Sequence, residues 1–190
     1  MNGREQSDAC KGCAISRRDG NVELVRKIED CGGILQLKYD WVLHHYTGSE
    51  GFLGWLALQP REHRGGLDDL TNGESEGFGV LLKAIEESLR AYWQEEFPND
   101  PLERVYIACF YESSKHLHLH IVPRPESFKD IRFCTEACSE FELIEKESRW
   151  AYGWHVYLAS RCDRFPDTYR RDKEKAQKLM GFLGTRLPLA

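Results

Sequence analysis

The sequence has no surplus of positive charge and no long apolar run. Its 26 Lys and Arg residues are outnumbered by 31 Asp and Glu residues, which gives a net charge of −5 at pH 7. A general nucleic-acid binder carries a basic surface, so we do not expect this class of protein. No stretch is long and apolar enough to cross a bilayer, and the first residues lack the apolar core of a secretion signal. We therefore expect a cytoplasmic protein that binds neither membranes nor nucleic acids in general.

The cysteine content does not suit a disulfide framework, and the chain has no internal repeat or low-complexity linker. Seven cysteines are an odd number in a chain of 190 residues without a secretion signal. This favours reduced thiols or metal ligands. A content of 41% hydrophobic and 30% charged residues is ordinary for a globular protein. We expect one domain over residues 1–190, large enough to bury a sizeable core.

The most informative stretch is a row of three histidines, His116, His118 and His120, separated by single leucines. A period of two predicts a β-strand, with the imidazoles on one face about 6–7 Å apart and the leucines on the other. Pro123 cannot donate a backbone hydrogen bond, so we expect strand pairing to stop there.

Such a row of imidazoles suits chemistry at phosphorus. A neutral imidazole is a nucleophile, and its charge changes near neutral pH. Neighbouring imidazoles can fix its tautomer or donate to the charge that develops on phosphate oxygens. The same row could instead bind a catalytic metal or form a solvated strand face.

The segment from His116 to Val122 resembles the motif of the histidine triad (HIT) family, His-φ-His-φ-His-φ-φ, where φ is apolar. Pro123 and Arg124, which follow, are also common there. Members of this family are nucleotide hydrolases and nucleotidyl transferases, and their middle histidine forms a covalent nucleotidyl-histidine intermediate. The resemblance implies that His118 is the nucleophile and that His120 donates to a phosphate oxygen. It covers about residues 10–124, which leaves residues 125–190 as a C-terminal extension.

A second part of the resemblance concerns zinc. Cys10 and Cys13 form a Cys-x-x-Cys pair, which suits half of a tetrahedral zinc site but is a weak signal alone. His63 closes a Pro-basic-x-His segment that resembles the family's second landmark. In zinc-carrying members the cysteine pair, this histidine and the first triad histidine bind the metal. The resemblance therefore implies a structural zinc on Cys10, Cys13, His63 and His116; unligated thiols are the alternative.

Some positions depart from the better-known members of the family. Glu112 stands in place of a glutamine near the leaving group, and a carboxylate cannot donate a hydrogen bond as an amide does. Trp55 replaces a common histidine, and Val105 stands where the family has an asparagine. Ser113 fits the family's hydroxyl position and is expected to donate to phosphate, unless it is only a turn residue. We place Glu112 and Ser113 in the catalytic site of a subfamily in which phosphate chemistry transfers better than nucleotide recognition.

Periodicity predicts further strands and helices. The expected strands cover residues 34–38, 41–46, 52–58 and 104–110. A long helix is expected over residues 74–96, because apolar residues recur there at helical spacing. These residues are Phe78, Leu81, Leu82, Ile85, Leu89, Tyr92 and Trp93. Beyond Arg124 we expect a helix over 130–149, an aromatic strand over 150–158, and a last helix over 168–183 capped by Asp167.

These features predict an α+β protein of HIT-like fold, with an antiparallel sheet of about five strands, one long helix and C-terminal additions. The expected activity is hydrolysis or transfer at a phosphate ester, anhydride or phosphoramidate of a nucleotide. The alternatives are a non-catalytic nucleotide-binding scaffold or adaptor, and a metallohydrolase that uses the triad as metal ligands. Family members are commonly homodimers, and the apolar helix stripe with the aromatic C-terminal strand would allow one here.

Overall fold

The structure is a computed structural model that describes residues 10–18, 22–47, 51–109, 115–129 and 167–190. Its five strands form one antiparallel sheet in the order β1-β2-β3-β5-β4. The strands are β1 (Ile34–Leu37), β2 (Trp41–His45), β3 (Leu56–Pro60), β4 (Leu102–Ala108) and β5 (Leu119–Pro125). The helices are α1 (Lys11–Arg17), α2 (Val22–Asp30), α3 (Asn72–Glu96) and α4 (Lys173–Arg186). The prediction of an α+β fold with five antiparallel strands and one long helix is confirmed.

One face of the sheet carries the main core, which is covered by α3 and α4. A capping box between Thr71 and Glu74 starts α3, so the helix begins two residues before the predicted position. Its apolar stripe is buried at the positions Leu81, Ile85, Leu89, Tyr92 and Trp93. The predicted core stripe of this helix is confirmed. None of the helices within the described residues is both long and apolar enough to span a membrane.

The opposite face of the sheet is covered by α1 and α2 and is more polar. A small apolar cluster of Ile15, Ile28, Ile34 and Val42 joins the two helices to the sheet. Beside it, the strand register aligns His44 with Ala57, and Ala57 with His120. Directly paired residues present their side chains on the same face, so this face carries both His44 and His120.

Strand β5 differs from its prediction at both ends. It begins at Leu119, so His116 and His118 precede the strand and only His120 lies within it. Pairing was expected to stop at Pro123, but β5 continues to Pro125, and Pro123 pairs with Val105. Beyond Ile121, β5 pairs with β4 alone, so a residue without a backbone N–H is tolerated there.

The predicted strand over 52–58 is wrong in its first half. A turn at Leu53 and Gly54 precedes β3, and Gly54 has a φ of +80°. A Cβ atom at this glycine would lie 2.9 Å from the ring of Trp93, so both the backbone angle and the close packing require glycine. Strand β3 then runs through Pro60, which was expected to end it.

Helices at the two ends of the described chain also differ from the predictions. Both α1 and α2 lie in a polar region where no helix was predicted. Asp167 begins a 3₁₀ turn, and Asp172 instead caps α4 by accepting from the backbone N–H of Lys175. The predicted elements over 130–149 and 150–158 lie outside the described residues.

Candidate metal centre and active site

Two cysteines and two histidines from separate parts of the chain meet at one point. Cys10 is the N-cap of α1 and Cys13 lies in its first turn, whereas His63 follows β3 and His116 precedes β5. One ligand atom from each of these four residues lies within 4.8 Å of the other three. The structure thus brings together the four residues that the family resemblance implied as metal ligands.

The distances between these atoms fit a tetrahedral site. Cys10 Sγ lies 3.5 Å from His116 Nδ1, and Cys13 Sγ lies 3.5 Å from His63 Nδ1 and 3.6 Å from His116 Nδ1. Zinc bonds of about 2.3 Å to sulfur and 2.0–2.1 Å to nitrogen, at tetrahedral angles, separate the two ligand atoms by about 3.5–3.6 Å. A donor set of two thiols and two imidazoles in this arrangement is typical of zinc.

Hydrogen bonding prepares His116 to act as a ligand through Nδ1. Its Nε2 donates to the carbonyl oxygen of Pro60 at 3.0 Å, which leaves the lone pair of the neutral ring on Nδ1, facing the thiols. Burial lowers the pKa of His116 to about 4, so the ring is neutral at pH 7. Burial also raises the pKa of the Cys13 thiol to about 12, with the neighbouring Cys10 as the next cause. A bound cation would offset that cost and favour the thiolate.

Helix α1 approaches His116 closely because residue 12 is a glycine. A Cβ atom on Gly12 would lie 2.5 Å from Cγ and 2.6 Å from Nδ1 of His116, so any side chain would push the helix away. Gln59 on β3 holds the helix against the sheet: its Nε2 donates to the carbonyl oxygen of Gly12 at 2.8 Å and to Ser16 Oγ at 3.0 Å. The geometry of the cluster therefore depends on residues that are not themselves ligands.

The other two histidines of the triad carry their ring protons on different nitrogens. His118 Nδ1 donates to the carbonyl oxygen of His116 at 2.8 Å, which leaves a lone pair on Nε2. His120 Nδ1 instead accepts from the indole N–H of Trp55 at 3.1 Å, so its proton lies on Nε2 when the ring is neutral. The two ring centroids are 5.1 Å apart. The pair therefore offers one nucleophilic nitrogen and one hydrogen-bond donor.

A cavity of about 340 Å³ lies beside His118, between the sheet and helices α1 and α2. Its charged lining residues are Lys11, Glu23 and Lys27, of which the last two form an ion pair at 3.0 Å. The remaining lining residues are Gly12, Ile15, Leu24, His44, Tyr46, Thr47, Ala57, Gln59, His116 and His118. A cavity of this size with a mixed lining is typical of a small-molecule site.

Two further histidines, His44 and His45, are consecutive residues of β2, and both are buried in the neutral form. Burial lowers the pKa of His44 to about 4 and that of His45 to about 3. His44 Nδ1 donates to the carbonyl oxygen of His45 at 2.7 Å, and His45 Nδ1 donates to that of Cys31 at 3.2 Å. His45 Nε2 then accepts from the backbone N–H of Gly54. His45 thus stabilises the turn that precedes Trp55, whereas His44 forms part of the cavity wall.

Solved structures share this architecture. A zinc-bound histidine triad family protein from Mycobacterium smegmatis is 17% identical, with a TM-score of 0.51 over 94% of this chain and 96% of that one. The chain has the histidine triad fold. Two further structures are a hypothetical protein from Leishmania major (16% identity, TM-score 0.45, 61% of this chain and 73% of that one) and a Hit-like protein involved in cell-cycle regulation from Bartonella henselae (16%, 0.35, 77% and 96%). Neither the protein-family models nor the curated proteins give a match.

Within this histidine triad fold, some predicted site residues are brought together by the structure and others lie outside its described residues. The four expected metal ligands meet, and His118 lies beside the cavity with His120 as its neighbour. Glu112 and Ser113 lie outside the described residues. Val105 pairs with Pro123 in the sheet and is not among the residues that line the cavity.

Sequence reasoning missed several residues that support the site. Gly12 lies inside the Cys-x-x-Cys pair, where a glycine is a recognisable signal of close backbone approach. Trp55 was noted as a departure, but its hydrogen bond to His120 joins residues 65 positions apart and has no local signal. His44 and Gln59 look like ordinary strand residues until the helices that cover them are known.

Proposed function

We propose that the protein belongs to the histidine triad family and is a hydrolase or nucleotidyl transferase of nucleotide phosphate esters, anhydrides or phosphoramidates. In the first step Nε2 of His118 attacks phosphorus, the bond from phosphorus to the leaving group breaks, and a covalent nucleotidyl-histidine forms. In the second step water or an acceptor alcohol attacks phosphorus, and the bond to His118 breaks. The observation that carries the proposal is the hydrogen bond from His118 Nδ1 to the His116 carbonyl. It leaves the lone pair of the neutral ring on Nε2, and His118 lines a cavity.

The remaining groups have roles that follow from their chemistry. His120, with a proton on Nε2, would donate to a phosphate oxygen as negative charge develops there. Lys11 adds positive charge to the cavity lining, where Lys27 is paired with Glu23, and Leu24 and Ile15 give the cavity an apolar wall. This combination suits a ligand with an anionic part and an apolar part, as a nucleotide has. Glu112 and Ser113 are proposed, from the sequence alone, to contact the leaving group and a phosphate oxygen.

A structural zinc is the second part of the proposal. Cys10, Cys13, His63 and His116 would hold it, since three of their sulfur–nitrogen separations match the edges of a zinc tetrahedron and all four ligand atoms lie within 4.8 Å of one another. A bound ion would link α1 to the segment after β3, which carries His63, and to the segment before β5, which carries His116. Its chemistry there is structural, because four protein ligands leave no open position for substrate.

The metallohydrolase alternative has less support. Among the residues that the structure describes, the metal-ligating types close enough to share an ion are the two cysteines with His63 and His116. His118 and His120 are not part of that group, and each has its Nδ1 in a hydrogen bond to another partner. The triad therefore does not present three imidazoles to one ion.

The decisive experiment traps the intermediate. The purified protein is mixed with a panel of adenylates, including a phosphoramidate and a dinucleoside polyphosphate, and quenched in base within milliseconds to seconds. A phosphorus–nitrogen bond is acid-labile and base-stable, so we expect a nucleotide mass on the peptide that contains His118. His118→Asn should bind the same nucleotides but give no adduct and almost no turnover.

The possible results separate the candidate functions. Nucleotide binding without turnover in the wild type would indicate a non-catalytic scaffold or adaptor. Turnover without an adduct, abolished by chelation, would indicate the metallohydrolase. Turnover that survives His118→Asn would show that His118 is not the nucleophile.

The protein is further proposed to act in the cytoplasm as a homodimer on a small nucleotide, without binding membranes or general nucleic acid. Strand β4 is at one edge of the described sheet, and its apolar residue Ile107 is 38% exposed, so we propose this edge as the place where a second copy pairs. Light scattering after size exclusion tests this: a mass of 22.1 kDa at micromolar concentration would identify a monomer and contradict the proposal.

A further inference from the structure

Trp55 is joined to His120 by a direct hydrogen bond inside the protein. The indole is fully buried, and its Nε1 lies 3.1 Å from His120 Nδ1. Tyr46 stacks on the indole at a centroid distance of 4.7 Å and meets the His120 ring edge-on at the same distance. His120 is therefore held by two aromatic rings, of which one also donates a hydrogen bond to it.

The indole determines which nitrogen of His120 carries the proton. Tryptophan has an N–H donor and no acceptor, so Nδ1 of His120 must be the unprotonated nitrogen in this hydrogen bond. The proton of the neutral ring is then on Nε2. A histidine at position 55 would impose no such choice, because imidazole can either donate or accept.

The preceding residues fix the position of the indole. Gly54 adopts a φ of +80°, and its Cα lies so close to Trp93 and Pro123 that a Cβ atom there would lie 2.9–3.0 Å from them. His45 Nε2 accepts from the backbone N–H of the same glycine. The backbone of this turn therefore places Trp55 next to His120, and the position of the indole does not depend on its side-chain rotamer alone.

We infer that Trp55 is a positioning residue that holds His120 in the Nε2–H form, opposite to the form of His118. This inference rests on the proposed function, in which His118 attacks and His120 donates. His118 has its proton on Nδ1, so the two neighbouring rings are complementary through their Nε2 atoms. Without the indole, His120 could place its proton on either nitrogen, and only one of the two forms would assist catalysis.

The protein also provides an internal comparison for this role. Trp93 is a second fully buried tryptophan, and its Nε1 has no hydrogen-bond acceptor among the described residues. Trp93 also packs against Gly54, so replacement of Trp93 by Phe perturbs the packing of the turn before Trp55 without removing a hydrogen bond. The pair Trp55→Phe and Trp93→Phe separates the N–H group from the bulk of the ring.

The test is to read the tautomers directly by long-range ¹H–¹⁵N NMR on protein with ¹⁵N-labelled histidine, with His120→Asn to assign the signals. In the wild type we expect His120 to be protonated on Nε2 alone. In Trp55→Phe its ring nitrogens should shift toward a mixture of the two forms, and Trp93→Phe should leave them unchanged. The kcat of Trp55→Phe should fall about 10–100-fold, and its KM should change less than about threefold. This loss in kcat is smaller than the 10²–10³ expected for loss of the donor itself.

The NMR result stands even if the protein proves to have no turnover, so failure of the proposed function and failure of this inference are distinguishable. An Nδ1–H form of His120 in the wild type would overturn the inference without any variant, even if Trp55→Phe failed to fold. An Nε2–H form that persists fully in Trp55→Phe would overturn it as well, because the indole would then not select the tautomer. Equal loss of kcat in Trp55→Phe and Trp93→Phe would assign the effect to packing and also contradict it.

Discussion

At one end of the triad segment, His116 is buried against two thiols and donates its remaining N–H to Pro60. At the other end, His118 lies half-buried beside a cavity and His120 accepts from Trp55. The sequence spaces the three histidines equally, yet their rings form hydrogen bonds through different nitrogens: Nε2 in His116, and Nδ1 in His118 and His120. Identical residues at a regular period can thus have a structural role at one end and a chemical role at the other.

This difference leads to an expectation about mutations. Changes at the end that includes His116, which we call the metal end, should lower stability and metal content. Changes at the end that includes His118 and His120, which we call the reaction end, should lower turnover and leave the metal content unchanged. The following predictions test this division, from the largest expected effect to the smallest.

Cys13→Ala should produce the largest loss of stability, on the order of several kcal/mol, because the free energy of metal binding contributes to folding. Zinc content should fall from about one ion per chain, and the thermal midpoint should fall with it. Inductively coupled plasma mass spectrometry and thermal unfolding measure the two effects. Cys31→Ala is the matched control, since Cys31 is half-buried and is not part of the four-residue cluster. Full zinc occupancy in a Cys10/Cys13 double variant would remove the metal end from the scheme.

His120→Asn should affect the reaction end alone. Loss of one donor to the developing charge lowers turnover by about 10²–10³, or about 3–4 kcal/mol of barrier. Zinc content should stay at the wild-type level, because His120 is not one of the four clustered residues. Steady-state kinetics measures the loss of turnover, and metal analysis of the same preparation measures the zinc content. His63→Asn provides the opposite pattern; if both variants lost zinc equally, the two ends would not be separable.

Acid should destabilise the protein through the buried histidines of β2. The pKa of His44 is lowered to about 4 in the folded state, whereas an unfolded histidine titrates near 6.5. The unfolded chain therefore binds more protons between these values, so the stability from neutral His44 is complete above about pH 6.5 and is lost as the pH falls toward 4. At pH 5 the loss is about 2 kcal/mol for this residue. His45 has an even lower folded pKa and acts in the same direction.

Denaturant unfolding of the wild type and His44→Phe from pH 7.5 to 5 measures this effect. Both proteins share any pH dependence of metal binding, so it cancels in their difference. The wild type should lose about 2 kcal/mol more than His44→Phe over that range. Parallel curves for the two proteins would mean that His44 has the same pKa in the folded and unfolded states, and would contradict this prediction.

The two ends also differ in how far they could be predicted from the sequence. The core stripe of α3 follows from helical periodicity, and it is buried at the predicted positions. The resemblance of the histidine row to the family motif implied the nucleophile but not the ring partners, because these depend on a carbonyl two residues away and on an indole 65 residues away. The ligand set of the metal end came from the family resemblance, since contacts between Cys10 and His116 span 106 residues. Helix α1 was missed because its seven residues are too few for a clear periodic signal.

Gly12→Ala should have the smallest effect and tests how rigidly the metal end is built. A Cβ atom at this position would lie 2.5 Å from Cγ of His116, so α1 must move away from the ring. Overpacking of this kind costs about 1–3 kcal/mol. The shift also separates Cys13 from His116, so zinc affinity should fall.

Gly79→Ala is the matched control for this substitution. Gly79 lies within α3, and a Cβ atom there would meet nothing within 4 Å. Alanine favours a helix over glycine by up to about 1 kcal/mol, so this variant should be slightly more stable than the wild type. Competition with a chromogenic chelator measures zinc affinity, and denaturant unfolding measures stability. If Gly12→Ala bound zinc as tightly as Gly79→Ala, the approach of α1 to His116 would not be needed for the metal end, and its role would lie in the fold alone.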